Sequence, residues 1–134
     1  MSASSALQKA IYEALVADAA VGALVGGRIY DGVPSTATFP YVSFGPDQSL
    51  EDDAECISGE DIYLQIDCWS RDQGRKRPCK EIRDAVKAAL HDADLSLDDP
   101  YALSFIRVPR AEVKIAADNI TAHGVLTVQA AVEW

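Results

Sequence analysis

The stretch from residue 60 to residue 90 carries the clearest pattern of apolar and polar positions in the chain. Apolar residues first alternate with polar or amphipathic ones, which predicts a strand with one apolar face and one mixed face. The apolar members are Ile62, Leu64, Ile66 and Cys68. After a turn signal at 70–74, apolar residues recur every three or four positions, which predicts a helix with a charged outer face. They are Cys79, Ile82, Val86 and Ala89 or Leu90. We take this strand and helix as the centre of the fold.

Two helical segments and two extended segments are predicted before this centre. Ser4 or Ser5 is expected to cap a short first helix, whose apolar stripe runs over 7–15. Asp18 is expected to cap a second helical turn over 19–24, which the following glycines end. The predicted extended segments are 28–30 and 40–44.

Three further extended segments are predicted after the central helix. A strand over 101–108 is expected to end at Pro109, because proline donates no hydrogen bond to a sheet. A short strand at 113–115 and a turn precede a long alternating segment over 120–134. Gly124 is predicted to mark a bulge or bend in that last strand.

These elements predict the α+β class. We expect one domain over residues 1–134, with a single mainly antiparallel sheet of about five strands and two helices packed on one face. The opposite face keeps Tyr63, Trp69 and Val125, which is more apolar surface than a plain solvent face carries. Part of that face is therefore predicted to meet a partner.

The 134 residues carry a formal net charge of −9, and the charge is unevenly distributed. Seven of the 12 lysines and arginines lie between Arg71 and Lys87, with the spacing of an exposed helix face. An acidic surface repels phosphate groups. Sequence-specific nucleic-acid binding is therefore not expected, unless this basic segment forms a footprint of its own.

The sequence also bears on the compartment. No apolar run approaches the roughly 20 residues that a membrane helix needs. The first residues lack the basic and then apolar pattern of a secretion signal. We therefore expect a cytoplasmic protein without membrane segments and with its three cysteines reduced. Cys68 and Cys79 fall on the predicted apolar faces, where they are expected to be small core residues.

The densest cluster of possible metal ligands lies in a predicted loop at 47–55. Its acids are Asp47, Glu51, Asp52, Asp53 and Glu55. Their spacing lacks the Asp-x-Asp-x-Asp-Gly pattern of a calcium loop, so we interpret the segment as an exposed, mobile contact loop. His91 is expected to cap the central helix as a cation, His123 lies on the mixed face of the last strand, and no nucleophile motif accompanies either. No catalytic residue, metal or cofactor is predicted.

Several short motifs, spread over nearly the whole chain, occur together in a distinctive order. They are the helix over 7–15, Arg28-Ile29-Tyr30-Asp31, Phe39-Pro40-Tyr41-Val42, the stretch 64–70 leading into the helix to Leu90, and Thr121-Ala122-His123-Gly124-Val125. In this order the chain resembles a family of small tail-completion proteins, also called tail terminators. These occur in long-tailed bacteriophages and in phage-derived gene transfer agents.

The resemblance implies a structural protein without catalytic residues. Members are understood to form a ring, usually of six subunits, at the head-proximal end of the tail tube, where the ring stops tube growth and presents a surface to the head connector. The implied partners are further copies of the chain, the tail tube protein and the head–tail connector protein. DNA would pass through the ring without sequence-specific binding. The implied location is the host cytoplasm during assembly and then the phage-like particle.

Opposite charge blocks suit such a ring, because a closed ring joins two different patches of each subunit. The predicted interface residues are the five acids at 47–55 together with Arg71, Arg75, Lys76 and Arg77. Two alternatives remain open at this level. One is a head-side connector component, which shares these features. The other is a small cytoplasmic enzymatic or ligand-binding domain, with its pocket between the sheet and the loops.

Overall fold

A computed structural model of the chain describes residues 2–134, and three helices and five strands lie within them. In chain order they are α1 (Ala3–Ala17), α2 (Ala19–Val25), β1 (Ile29–Tyr30), β2 (Tyr41–Glu51), β3 (Gly59–Arg71), α3 (Arg77–Leu90), β4 (Ala102–Ile115) and β5 (Thr121–Glu133). The predicted central strand and helix are β3 and α3, and both are confirmed.

The five strands form one open sheet in the order β1-β2-β3-β5-β4. β1 pairs with β2 in parallel, and the other neighbouring strands are antiparallel. The prediction of a mainly antiparallel five-stranded sheet is confirmed, although the parallel pairing of β1 was not predicted. We call the end of the sheet at Arg71 the upper end, and the end at Gly59 the lower end.

The helices cover one face of the sheet. The even-numbered residues of β3 from Ile62 to Cys68 are buried on that face, together with Leu126 and its even-numbered neighbours on β5. The buried residues of α1 and α3 join the same core. The prediction of two helices on one face omits α2. The segment expected to form only a turn is a seven-residue helix that buries Val21 and Val25.

α1 begins earlier than predicted. Its cap is Ser2, whose Oγ accepts a hydrogen bond from the Ser5 N–H at 3.1 Å, so the predicted caps at Ser4 and Ser5 lie inside the helix. The additional residues bury Ala3, and this burial stabilises helix that the capping pattern alone did not predict.

Pro109 does not end a strand, because β4 continues through it for 14 residues in all. The register of β4 with β5 shifts between Arg107 and Arg110, which marks a bulge around the proline. β4 lies at the edge of the sheet, where a proline in a bulge leaves the ladder of hydrogen bonds intact. The segments predicted at 101–108 and 113–115 are therefore two halves of one strand.

Gly124 does not form a bulge, because the register of β5 with β3 passes it without a shift. A Cβ atom at this position would lie 3.1 Å from the Cys79 Sγ and 3.2 Å from the Cys68 Cβ. The glycine therefore allows α3 to approach the sheet closely. This requirement comes from the packing of a distant helix, which the alternation of β5 does not reveal.

Within residues 2–134, every helix is too short or too polar to serve as a membrane span.

Candidate functional site

The acidic residues predicted as a contact loop lie at the lower end of the sheet, and all five are exposed. Asp47 and Glu51 belong to β2, where residues 47–51 pair with β3. The segment is therefore a strand over its first half, which corrects the prediction of a mobile loop throughout. Two apolar side chains stand exposed beside these acids, with Leu50 47% and Ile57 46% exposed.

Two of the five acids are engaged within the chain. The Asp47 Oδ2 accepts a hydrogen bond from the Ser4 Oγ at 2.6 Å. The Asp53 Oδ1 accepts one from the Gly59 N–H at 3.0 Å and so holds the turn between β2 and β3. The other three carboxylates, which are those of Glu51, Asp52 and Glu55, have no side-chain partner within residues 2–134. They are free to meet another molecule.

Arg71 lies at the upper end of the sheet, as the last residue of β3. Its guanidinium carbon lies 4.3 Å from the centre of the Phe39 ring, and its Nε donates to the Thr121 Oγ1 at 3.1 Å. The Arg71 Nη2 also lies 3.6 Å from the Asp118 Oδ2. These contacts hold the guanidinium in a fixed position on the open face of the sheet, which is the face that the helices do not cover.

The other three predicted basic residues lie where α3 begins. Arg75 lies 3.4 Å from an oxygen of Asp72, and Arg77 lies 3.6 Å from an oxygen of Glu81. Surface ion pairs of this kind contribute little stability, so an external carboxylate can compete for either arginine. Lys76 is the cap residue of α3 and makes no side-chain capping bond.

The structure does not bring the acidic and basic groups together. The acids at the end of β2 lie nearly the full length of β3 from Arg71, which is about 40 Å for 13 residues at roughly 3.3 Å per residue, and Asp47, opposite Leu64, lies about half as far away. Even the shorter distance exceeds the screening length of about 8 Å at physiological ionic strength, so the two groups do not neutralise each other within one chain. Each remains available for a partner of opposite charge.

A cluster on the open face was not predicted as a unit. The His123 Nε2 lies 2.7 Å from the Asp67 Oδ1, and the His123 ring is stacked on the Trp69 ring with 3.8 Å between the ring centres. The Trp69 Nε1 donates to the Ser43 Oγ at 3.0 Å, and the Tyr41 ring lies beyond it with 6.3 Å between centres. The row crosses β2, β3 and β5, so it became visible only once the register was known.

These contacts indicate a structural role for the cluster. The side chains of His123 and Asp67 are only 16% and 10% exposed, and Asp67 also accepts a hydrogen bond from the Gln65 Nε2 at 2.9 Å. A buried histidine and carboxylate that satisfy each other stabilise the sheet without any reactant. Trp69 is one of the side chains predicted to meet a partner, but part of its surface packs against other residues of the chain. Trp69 is only half-buried, so the rest of its surface is accessible.

The outer edge of β4 is a second feature that was missed. Next to the bulge, the end of α3 covers this edge: the Asp92 N–H donates to the Ile106 oxygen at 2.9 Å, and the Val108 N–H donates to the His91 Nδ1 at 3.0 Å. His91 caps α3 as predicted, with its N–H bonded to the Lys87 oxygen. The accepting Nδ1 carries no proton, however, so the bond requires a neutral ring and corrects the prediction of a cationic cap.

Above the bulge, the edge strand is basic. Arg110 and Lys114 are exposed on the open face, and the Arg110 Nη2 lies 3.6 Å from the Glu112 Oε2. All three lysines and arginines that follow α3 are on β4, and Arg107 is the third. The three basic residues are evident in the sequence. The prediction of two separate segments on either side of Pro109 did not show that they share one strand.

The cysteines and possible metal ligands show no reactive cluster in the described chain. Burial raises the pKa of the Cys68 thiol and of the Cys79 thiol above the ordinary range, and the thiols of both residues lie in the core as predicted. Within residues 2–134, no three His, Cys, Asp or Glu side chains converge as a metal site would require.

Comparison with known proteins adds two findings. A family model described as tail completion protein gp17 matches residues 9–133. A chain in the solved structure titled "Virion of native gene transfer agent (GTA) particle" superimposes with a TM-score of 0.91 and 30% sequence identity, covering 99% of this chain and 98% of that chain. A comparison with curated proteins gave no match.

Proposed function

The chain belongs to the tail completion protein gp17 family, and we propose that it forms a ring that ends tail-tube polymerisation and joins the tail to the head connector. Family membership makes it a structural, non-enzymatic tail protein. The ring, its usual six subunits and its two neighbours in the particle are the proposed part. The tail tube protein would lie on one side of the ring and the connector protein on the other.

The observation that carries the proposal is the agreement between sequence and shape over nearly the full chain. The family match covers residues 9–133, and the matching chain of the gene transfer agent virion has almost the same length and fold. The two chains align over 99% of this chain and 98% of that chain, with 30% identity and a TM-score of 0.91. We therefore propose that the chain is part of a phage-like particle, which it would join during assembly in the host cytoplasm.

The distribution of charge supports assembly by unlike surfaces. Subunits of a closed ring meet through two different patches, and the acidic lower end and the basic upper end of the sheet are two such patches. We propose both as assembly contacts. The acidic patch consists of Asp47, Glu51, Asp52, Asp53 and Glu55, and the basic patch consists of Arg71, Arg75, Lys76 and Arg77.

The net charge of −9 supports passage of DNA through the ring. Non-specific binding to DNA is driven by neutralising its phosphates, and an acidic protein offers little of that. DNA would therefore slide through the opening without sequence-specific binding.

Deleting the gene from the particle-producing cell tests the proposal. Electron microscopy should show tubes of uncontrolled length and heads without attached tails, and expression of the wild-type chain should restore complete particles. Purified chain added to growing tubes should stop their growth and appear as a ring at one end. Tubes of normal length that merely fail to attach would instead indicate a head-side connector, and fully normal particles would contradict both roles.

A further inference from the structure

Two opposite edges of the sheet are each covered over only half of their length. β1 covers the upper half of β2, where it pairs with Val42 and Ser43. The end of α3 covers β4 in its lower half, at Ile106 and Val108. Within residues 2–134, no backbone bond covers the lower half of β2 or the upper half of β4. An uncovered strand edge is a template for pairing with another chain.

The hydrogen bonds identify which backbone groups of β2 point outward. The N–H of Asp52 donates to the Gly59 oxygen, and Ala54 exchanges two bonds with Ile57, so the even-numbered residues point toward β3. Antiparallel strands alternate inward and outward groups. The residues with outward N–H and C=O groups are therefore Asp47, Ser49 and Glu51.

Hydrogen bonds also identify the outward groups in the upper half of β4. The Ala116 N–H donates to the Thr121 oxygen, and the register with β5 runs without a shift from Arg110 to Ile115. The even-numbered residues therefore point toward β5. The residues with outward groups are Ala111, Val113 and Ile115. Each free half-edge thus offers three residues, with the same spacing.

We propose that the lower half of β2 in one copy pairs antiparallel with the upper half of β4 in the next copy, so that the sheet continues across the subunit boundary. The occupant of each edge is a second copy of this chain. This contact rests on the proposed ring and names its interface. β2 and β4 run in opposite directions within one sheet, so copies in the same orientation present antiparallel edges to each other.

Charge selects one register. With Asp52 opposite Arg110, the neutral residues Leu50 and Gln48 stand opposite Glu112 and Lys114. Opposite charges directly across a pair of strands stabilise it, whereas like charges destabilise it. Moving β2 by two residues in one direction would place Asp52 against Glu112, and the two carboxylates would repel each other. Moving it in the other direction would bring Asp52 to Val108, whose N–H is already bonded to the His91 Nδ1. Arg110 already contacts Glu112, but a guanidinium has five donors and its side chain is 72% exposed.

The two free halves lie at opposite ends of the sheet, so neighbouring copies would be offset along the strand direction. Such an offset is compatible with a closed ring, because strands in closed sheets are commonly inclined by roughly 35–45° to the axis. Because β1 covers the other half of β2 and the end of α3 covers the other half of β4, two copies cannot pair without this offset. This arrangement narrows the proposal from charge: the acidic patch meets β4 of the next copy, and the basic patch at Arg71 and the start of α3 contacts other proteins of the particle instead of a neighbouring subunit.

Cysteine cross-linking tests the register directly. In a Cys56→Ser background, which removes the exposed native thiol, Leu50→Cys and Glu112→Cys are combined in one chain. Directly opposite residues in a non-hydrogen-bonded pair lie about 4.5 Å apart at Cα, close enough for a disulfide. Mild oxidation should produce a ladder of covalent multimers on a non-reducing gel. The matched control, Ser49→Cys with Glu112→Cys, places the two thiols on opposite faces of the sheet and should remain monomeric on that gel.

The ring itself is followed separately by light scattering and by electron microscopy of tube ends. A ladder from the in-register pair and none from the control supports the proposed pairing. A ring that forms without cross-linking of the in-register pair overturns the pairing and leaves the proposed function intact. Absence of any ring, free or on tube ends, overturns both.

A charge exchange gives a second measurement that does not depend on thiol chemistry. Asp52→Arg and Arg110→Asp should each weaken subunit association, by roughly two- to fivefold per interface for a cross-strand pair. The double variant should recover most of the loss because the opposite charges face each other again. Additive weakening in the double variant would contradict the pairing.

Discussion

Adding one methyl group at Gly124 should destabilise the protein and displace the start of α3. In Gly124→Ala, the new Cβ would lie 3.1 Å from the Cys79 Sγ, 3.2 Å from the Cys68 Cβ and 3.6 Å from a methyl of Val113. The first two distances are shorter than ordinary van der Waals contact. Both cysteines are fully buried, so neither can move aside into solvent.

The magnitude follows from two opposing effects. Overpacking a well-filled core typically costs about 1–3 kcal/mol. Replacing glycine by alanine also restricts the unfolded chain, which favours the folded state by about 0.4–1 kcal/mol. We therefore expect Gly124→Ala to lower the free energy of unfolding by about 0.5–2 kcal/mol.

Urea unfolding followed by circular dichroism measures this loss, and a double-mutant cycle assigns its cause. Cys79→Ala removes the sulfur atom that the new methyl would meet. If the contact between the two is responsible, Gly124→Ala should cost less in the Cys79→Ala background, with a coupling of about 0.5–1.5 kcal/mol.

Gly22→Ala is the matched control. Gly22 lies inside α2, and a Cβ added there would meet nothing within 4 Å. The control should stabilise the protein, by up to about 1 kcal/mol, because alanine is the better helix former. A Gly124→Ala variant as stable as the wild type would refute close packing at this position, and so would a cost that is unchanged without the Cys79 sulfur.

Three other substitutions have defined outcomes. Hydrogen bonds from the Thr121 side chain and from two backbone N–H groups lower the pKa of Asp118 to about 2. At any pH above the pKa of this group in the unfolded chain, the ionised carboxylate therefore stabilises the turn between β4 and β5. This contribution is lost as the pH falls toward 2. Asp118→Asn should lower stability at pH 7 in urea titrations, by an amount that shrinks at pH 2. His91→Ala leaves the Val108 N–H without its acceptor, so unfolding should become easier by about 1–3 kcal/mol and the Val108 amide should exchange faster by NMR. Asp67→Ala removes an acceptor shared by two side chains, with a similar cost and an altered near-ultraviolet circular dichroism spectrum.

Periodicity predicted the centre of the fold because burial there is one-sided. The apolar alternation of β3 and the helical period of α3 follow directly from the face that each turns to the core. The burial of Cys68 and Cys79 followed from the same patterns and is confirmed. Local signals of this kind need no knowledge of which strands are neighbours.

The features that were missed depend on neighbours. Pro109 was interpreted as a strand end because its missing N–H matters in a central strand, and only the position of β4 at the edge makes it harmless. The pair of His123 and Asp67 joins residues 56 positions apart, through the register of β3 with β5. The charged residues proposed as contacts could be identified from the sequence. The separation of the acidic from the basic residues along β3 could not be predicted in this way.

The uncovered half-edges bear on why assembly would stop at a ring. A strand edge that is free along its whole length can pair in several registers and can add copies without limit. Here each edge is half-covered, by β1 on one side and by the end of α3 on the other, so the free segments match only in the offset arrangement. In the proposed ring this offset would fix the inclination of each copy to the next, and repeated inclination in one sense would close the ring when the rotation divides a full turn. On this reasoning, His91→Ala should permit longer and less regular assemblies, because it uncovers backbone of β4 that the imidazole now occupies. Electron microscopy of the variant at the concentration where the wild type forms rings would decide the point, and rings of unchanged size would count against a limiting role for the covered half-edge.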